Sequence, residues 1–309
     1  MLPLPWQEDL WASLNSSIEQ ARLPHAILIN GASGIGKMRL AKALAHHLLC
    51  TAEMTKYACG SCKGCQLLAA GSHADITYLE PEAPGKPIKI DAVRALCESL
   101  SKTAQQGGWK VAIIAPAEAM NISASNALLK NLEEPQPKTL LILVSDRPSR
   151  LSATIRSRCQ SINMPIPDTA VASKWLTEVT GDQSAVDNVL FLAAGKPLLA
   201  LDYLQSDNLQ QRQSFEQLVA QVRRGDKTPL DAAQLCQKLD GIQSIEWFSH
   251  YIHRLATGEL KDQPIPALFS FSDKLLQAQN WLVSGNNPNL QLLWEGLFMD
   301  WVMVFAPRR

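Results

Sequence analysis

The sequence predicts an α/β domain around a mainly parallel sheet, then a small helical domain and an all-α C-terminal domain. Strand and helix periods alternate through the first half, a glycine-rich turn joins the first strand to a helix, and strand signals stop after Pro165-Ile166-Pro167. Hydrophobic residues make up 46% of the 309 and charged residues 19%, a balance that favours a buried core over disorder. Lys+Arg and Asp+Glu number 29 each, and a formal net charge of zero argues against a strongly basic nucleic-acid coat. No run of 18 apolar residues is present, so no ordinary membrane-spanning helix, and no membrane partner, is expected. Residues 1–6 lack the basic and apolar regions of a secretory signal, which makes the cytosol the expected compartment. There the seven cysteines are expected as thiols or metal ligands, not disulfides.

Leu10, Leu14 and Ile18 share one face of a first helix. The apolar run at 26–29, within a strand at 25–30, is what a buried parallel strand requires. The next helix carries Leu40, Ala41, Leu44, Leu48 and Leu49. Strands are expected at 76–79, 110–115, 139–145 and 160–164, with helices at 91–101 and 124–132. Glu133-Glu134-Pro135 stops the latter helix. Residues 168–205 read as three short helices punctuated by Gly181 and Gly195. Longer amphipathic helices are expected at 209–224, 230–239, 244–256, 273–283 and 290–305. Trp175, Trp247, Trp281, Trp294 and Trp301 are expected to fill helix-bundle cores, the alternative being anchors for partner subunits. The domains expected are therefore 1–166, 167–207 and 208–309.

Gly31-Ala32-Ser33-Gly34-Ile35-Gly36-Lys37-Met38 nearly completes a phosphate-loop pattern in its strand–loop–helix context. Gly31, Gly34 and Gly36 let backbone amides approach phosphate, and Lys37 and the helix N-terminus favour its charge. The eighth position should be a hydroxyl that ligates Mg²⁺. Met38 offers only a soft thioether. An ATPase of this type also needs a carboxylate at the end of a neighbouring strand. The residues after the strand at 110 are Ala115 and Pro116, and Glu118 lies too far along and is expected at the surface. Hydrolysis is thus not expected. Binding stays open, because the glycines and Lys37 survive.

Cys50, Cys59, Cys62 and Cys65 form a C-x8-C-x2-C-x2-C pattern, suited to a closed tetrahedral, structural zinc site. An iron–sulfur run would need a cysteine where Ala69 stands, and redox activity of a Cys-x-x-Cys pair is a weaker alternative. Cys97, Cys159 and Cys236 read as buried thiols.

The phosphate loop, the four-cysteine insertion, the stretch Asn126-Ala127-Leu128-Leu129-Lys130-Asn131-Leu132-Glu133-Glu134-Pro135 and Ser157-Arg158-Cys159 occur together. As a set they resemble the clamp-loader subunits of bacterial DNA polymerase III, a branch of the AAA+ ATPases. The resemblance is specific over about 25–165 and rests on helical character alone beyond 207. It implies an AAA+ P-loop domain with a zinc module, a helical lid and a C-terminal collar. Ala115 and Pro116 stand where motor subunits carry Asp-Glu. Gly195-Lys196-Pro197-Leu198 lacks the lid arginine of motors, so the match is to the non-hydrolysing branch. The resemblance implies that Arg158 acts as an arginine finger on ATP held by a neighbouring subunit. It further implies a hetero-pentamer with motor and clamp-opening subunits, which loads a sliding clamp onto primed DNA in the bacterial cytoplasm, at the nucleoid, as part of the polymerase III holoenzyme. The rival readings are an unusual self-sufficient ATPase and a zinc-dependent DNA-binding module.

Overall fold

In the computed structural model, which describes residues 1–52, 56–83, 85–106, 108–181, 183, 185–260, 266–283 and 288–305, five segments pair into one parallel sheet. They are β1 (Ala26–Gly31), β2 (Ile76–Leu79), β3 (Lys110–Ile114), β4 (Thr139–Ser145) and β5 (Gln160–Met164), in the order β2-β3-β4-β1-β5. Every residue of β3 and β4 is buried, which is why these strands read as unbroken apolar runs. Successive β1 side chains serve opposite faces. Ile27 and Ile29 join Trp11 of α1 (Glu8–Glu19) and Leu40 and Leu44 of α2 (Lys37–Leu48). Ala26 and Leu28 join Leu96 of α4 (Ile90–Ser101) and Leu128 of α5 (Ile122–Glu133) on the other face.

Two helices escape the sequence pattern because they are too short to show a period: α3 (Lys63–Ala69) and α6 (Ala153–Arg156). After β5 come α7 (Thr169–Thr180), α8 (Val186–Leu192) and α9 (Pro197–Gln205), three short helices as expected. The chain divides into two compact units, Met1–Leu204 and Gln205–Arg309.

The second unit contains α10 (Asn208–Arg224), α11 (Pro229–Cys236), α12 (Gly241–Thr257), α13 (Pro266–Val283) and α14 (Leu290–Val304). Its core is aromatic. Phe248 meets Phe271 and Trp301 with ring centroids 5.2 Å apart, and the Trp301 indole N–H donates to the Val219 carbonyl at 3.1 Å. Trp247, Trp294 and Trp301 are buried as expected, but Trp281 is 42% exposed. Helix α13 begins at Pro266, ahead of the expected 273. Proline is well suited to a first turn, and Leu268, Phe271 and Leu275 continue the buried face upstream. Among the described residues, no helix is long and apolar enough to cross a membrane.

Candidate functional site

Strands β1 and β4 are neighbours, with Asn30 opposite Ser145, so the chain leaves both at the same edge of the sheet. The glycine-rich loop follows β1 there and Asp146 follows β4. This places Lys37, the first residue of α2, within 2.6 Å of the Asp146 carboxylate (Nζ to Oδ1). Lys37 also donates to the Ala32 carbonyl at 2.5 Å and is buried. The cation that would meet a phosphate is thus paired internally. Asp146 is held in turn by Glu118, whose Oε1 accepts the Asp146 and Arg147 amides at 3.0 and 3.1 Å. Glu118 is therefore half-buried and fixes the loop after β4, contrary to its expected surface role; the signal missed was two unpaired amides that the end of a strand leaves to be capped.

The phosphate loop is braced from two sides through its carbonyls. Gly36 has φ of +92°, and a Cβ there would lie 2.4 Å from Leu4 Cδ1 and 2.9 Å from Gln7 Nε2. Gln7 Nε2 donates to the Gly36 carbonyl and Trp6 Nε1 to the Ile35 carbonyl, both at 2.9 Å. From the other side, the Leu198 amide at the start of α9 donates to the Gly34 carbonyl at 3.0 Å. Leu198 and Leu199 abut the loop. Met38 packs against the core below, and Ala115 at the end of β3 is buried and apolar. Position 38 and the end of β3 thus offer no oxygen ligand to a metal, and the nearby carboxylate, Asp146, is paired with Lys37. Asp146, Leu4 and Gln7 escape the sequence reading, because their contacts depend on sheet order and chain reversal rather than on local spacing.

The four expected cysteines converge. All four Sγ atoms lie within 4.8 Å of one another, with Cys50–Cys62 at 3.8 Å and Cys59–Cys65 at 4.0 Å. A tetrahedral zinc with Zn–S bonds of about 2.3 Å has S–S edges of about 3.8 Å, so the cluster has the size of such a site. Backbone amides point at the sulfurs: Cys59 N–H at Cys50, Cys62 N–H at Cys59, and Thr51 and Cys65 N–H at Cys62, all at 3.3 to 3.4 Å. Cys62 also caps α3. Hydrogen bonds from Thr51 draw its thiol down to about 5, aided by the Cys65 amide, whereas burial pushes Cys65 up to about 12. The cluster can hold a metal such as zinc. Cys159 and Cys236 are buried, and burial raises them to about 11 and about 12; Cys97 is half-buried.

Arg158 follows α6 and precedes β5. Its Nη2 lies 2.6 Å from Glu133 Oε1 at the end of α5, and its Nη1 donates to the Thr154 carbonyl at 3.0 Å. The side chain is 37% exposed, so the guanidinium is not sealed in the core.

A parallel sheet in the order β2-β3-β4-β1-β5, with a phosphate loop leaving β1 and helices on both faces, defines a P-loop protein of the AAA+ type. A family model described as DNA polymerase III, delta subunit, matches residues 6–168, more than half of the chain. DNA polymerase III subunit delta' of Pseudomonas aeruginosa is 37% identical over 328 residues, an alignment covering 98% of each chain. The protein of that name from Escherichia coli K12 is 40% identical over 231 residues, 74% of this chain and 69% of that one. A DNA polymerase III gamma subunit-related protein from Thermotoga maritima shares the fold, with a TM-score of 0.53 at 16% identity over 95% of this chain and 98% of that one. The chain belongs to the delta' subunits of the bacterial DNA polymerase III clamp loader.

Proposed function

We propose that this clamp-loader subunit neither binds nor hydrolyses ATP itself, and that it offers Arg158 to ATP held by a neighbouring subunit. The observation that carries the reading is the position of Arg158 relative to its own phosphate loop. Met164, at the end of β5, pairs with Gly31, where the loop begins, whereas Arg158 lies in the turn that precedes the start of β5 at Gln160. At about 3.3 Å per residue, the strand between them spans roughly 13 Å. The arginine and the loop thus occupy opposite edges, and a guanidinium exposed on the far edge is available to another chain. A planar, permanently charged group suits γ-phosphate oxygens and the charge that builds on them in the transition state.

The other parts follow. Helices α7–α9, within 167–207, serve as the lid, and the helices of 208–309 as the collar. The neighbours are motor subunits, for which a tau/gamma relative at 30% identity over 56% of this chain is the model, and a clamp-opening subunit, in a hetero-pentamer. Acting through that assembly in the cytoplasm, at the nucleoid, the subunit helps place a sliding clamp on primed DNA. Cys50, Cys59, Cys62 and Cys65 hold a structural zinc, whose closed ligand set leaves no position for catalysis.

The test is Arg158→Ala in the complex reconstituted with its own motor subunits. Assembly should be retained, and the ATP site facing this chain should lose a factor of about 10³–10⁵ in rate. Undiminished DNA-stimulated turnover at that site would remove Arg158 from the mechanism.

A further inference from the structure

We infer that Glu133 is the positioning residue for Arg158, holding one edge of its guanidinium so that the other edge faces the neighbouring subunit's γ-phosphate. The inference rests on the reading of Arg158 as a finger acting in trans, and deepens it.

Glu133 is the last residue of α5, where the helix dipole disfavours a carboxylate. A locally unfavourable residue calls for a compensating role. Its contact among the described residues is Arg158, at 2.6 Å. Glu133 is 50% exposed and Arg158 37%, and a pair that exposed contributes little to folding. What the pair can do is fix direction. The terminal nitrogens of Arg158 are engaged by Glu133, by the Thr154 carbonyl at 3.0 Å and by Ser157 Oγ at 3.5 Å. Among the described residues, nothing accepts from Nε–H. A guanidinium is a rigid planar fork, so anchoring its terminal nitrogens sets the orientation of the Nε edge. An arginine ordered before the encounter loses less rotamer freedom when it meets phosphate, and a correctly aimed group is worth large factors in rate. Thr154 contributes through its backbone and Ser157 only at 3.5 Å, which makes Glu133 the nearest anchoring side chain and one that substitution can remove cleanly.

The test uses reconstituted complexes in which every ATP site except the one facing this chain has been disabled. Glu133→Ala should lower kcat by about 3- to 30-fold, with KM for ATP changed by less than about twofold and assembly unchanged. Glu133→Gln keeps an acceptor oxygen and should restore most of the rate. In the double-mutant cycle, Glu133→Ala should cost nothing further once Arg158 is alanine. A wild-type or faster rate for Glu133→Ala, beside a slow Arg158→Ala, would overturn the positioning role and leave the finger standing. So would additive losses in the cycle. A normal rate for Arg158→Ala would instead defeat the reading beneath both.

Discussion

Gly36 shows how one residue ties the phosphate loop to the chain's N-terminal segment. It combines a left-handed backbone with a Cβ position already filled by Leu4 and Gln7. Gly36→Ala should therefore destabilise the chain by about 1–3 kcal/mol, read by chemical denaturation. A neutral result would mean that residues 4–7 leave the loop readily. The next residue, Lys37, stands at the place its spacing demands but answers to Asp146. The lysine was legible because a phosphate loop is a local motif of fixed spacing. Asp146 was not, because its role exists only once β4 lies beside β1. Glu133 is legible in the sequence only as part of the helix stop Glu133-Glu134-Pro135. Its salt bridge to Arg158 depends on α6, which is too short to leave a periodic signature.

At the scale of elements, the cysteine module is the part the sequence described most fully. Four ligands at short spacings constrain one another regardless of the rest of the fold, and the sulfurs meet as expected. Helix α3 was not legible; it exists because Cys62 caps it and Cys65 is turned inward one turn later. Metal binding must strip the proton from buried Cys65, held up at about 12, while Cys62, at about 5, is already a thiolate near neutral pH. Zinc retention should therefore weaken as pH falls and protons compete for the sulfurs. Elemental analysis after dialysis at neutral and mildly acidic pH should show zinc held in the first case and lost progressively in the second. Cys65→Ser should lose it in both and lower the melting temperature. Full stability and no bound zinc in the unaltered protein would end the structural-zinc reading.

At the scale of the whole molecule, the two units divide the labour and differ in how much of them could be read. The α/β unit was legible in strand position and order of elements, because buried parallel strands and their connecting helices carry distinct periods. In the C-terminal unit the helices were found, but their outward faces were not. Helix α14 is apolar nearly all round, so a 3.6-residue period says little about which side is covered. Leu292, Met299 and Met303 fall near one face at 65%, 54% and 69% exposure. In the collar reading that face meets another subunit. Leu292→Glu combined with Met303→Glu should leave the melting temperature of the isolated chain nearly unchanged and abolish co-elution with the motor subunits on size exclusion. Normal co-elution would show that assembly uses another surface.

The central claim is an asymmetry: Arg158 serves a neighbouring subunit's ATP, while the chain's own loop has Met38, Ala115 and Pro116 where a hydroxyl and carboxylates are needed and a lysine paired with Asp146. Equilibrium binding of ATP with Mg²⁺ to the purified, isolated chain tests it most directly. The account predicts no saturable binding at concentrations up to about 1 mM, where even weak specific sites of about 4 kcal/mol would fill. Saturable binding at micromolar ATP that disappears in Lys37→Met would contradict it.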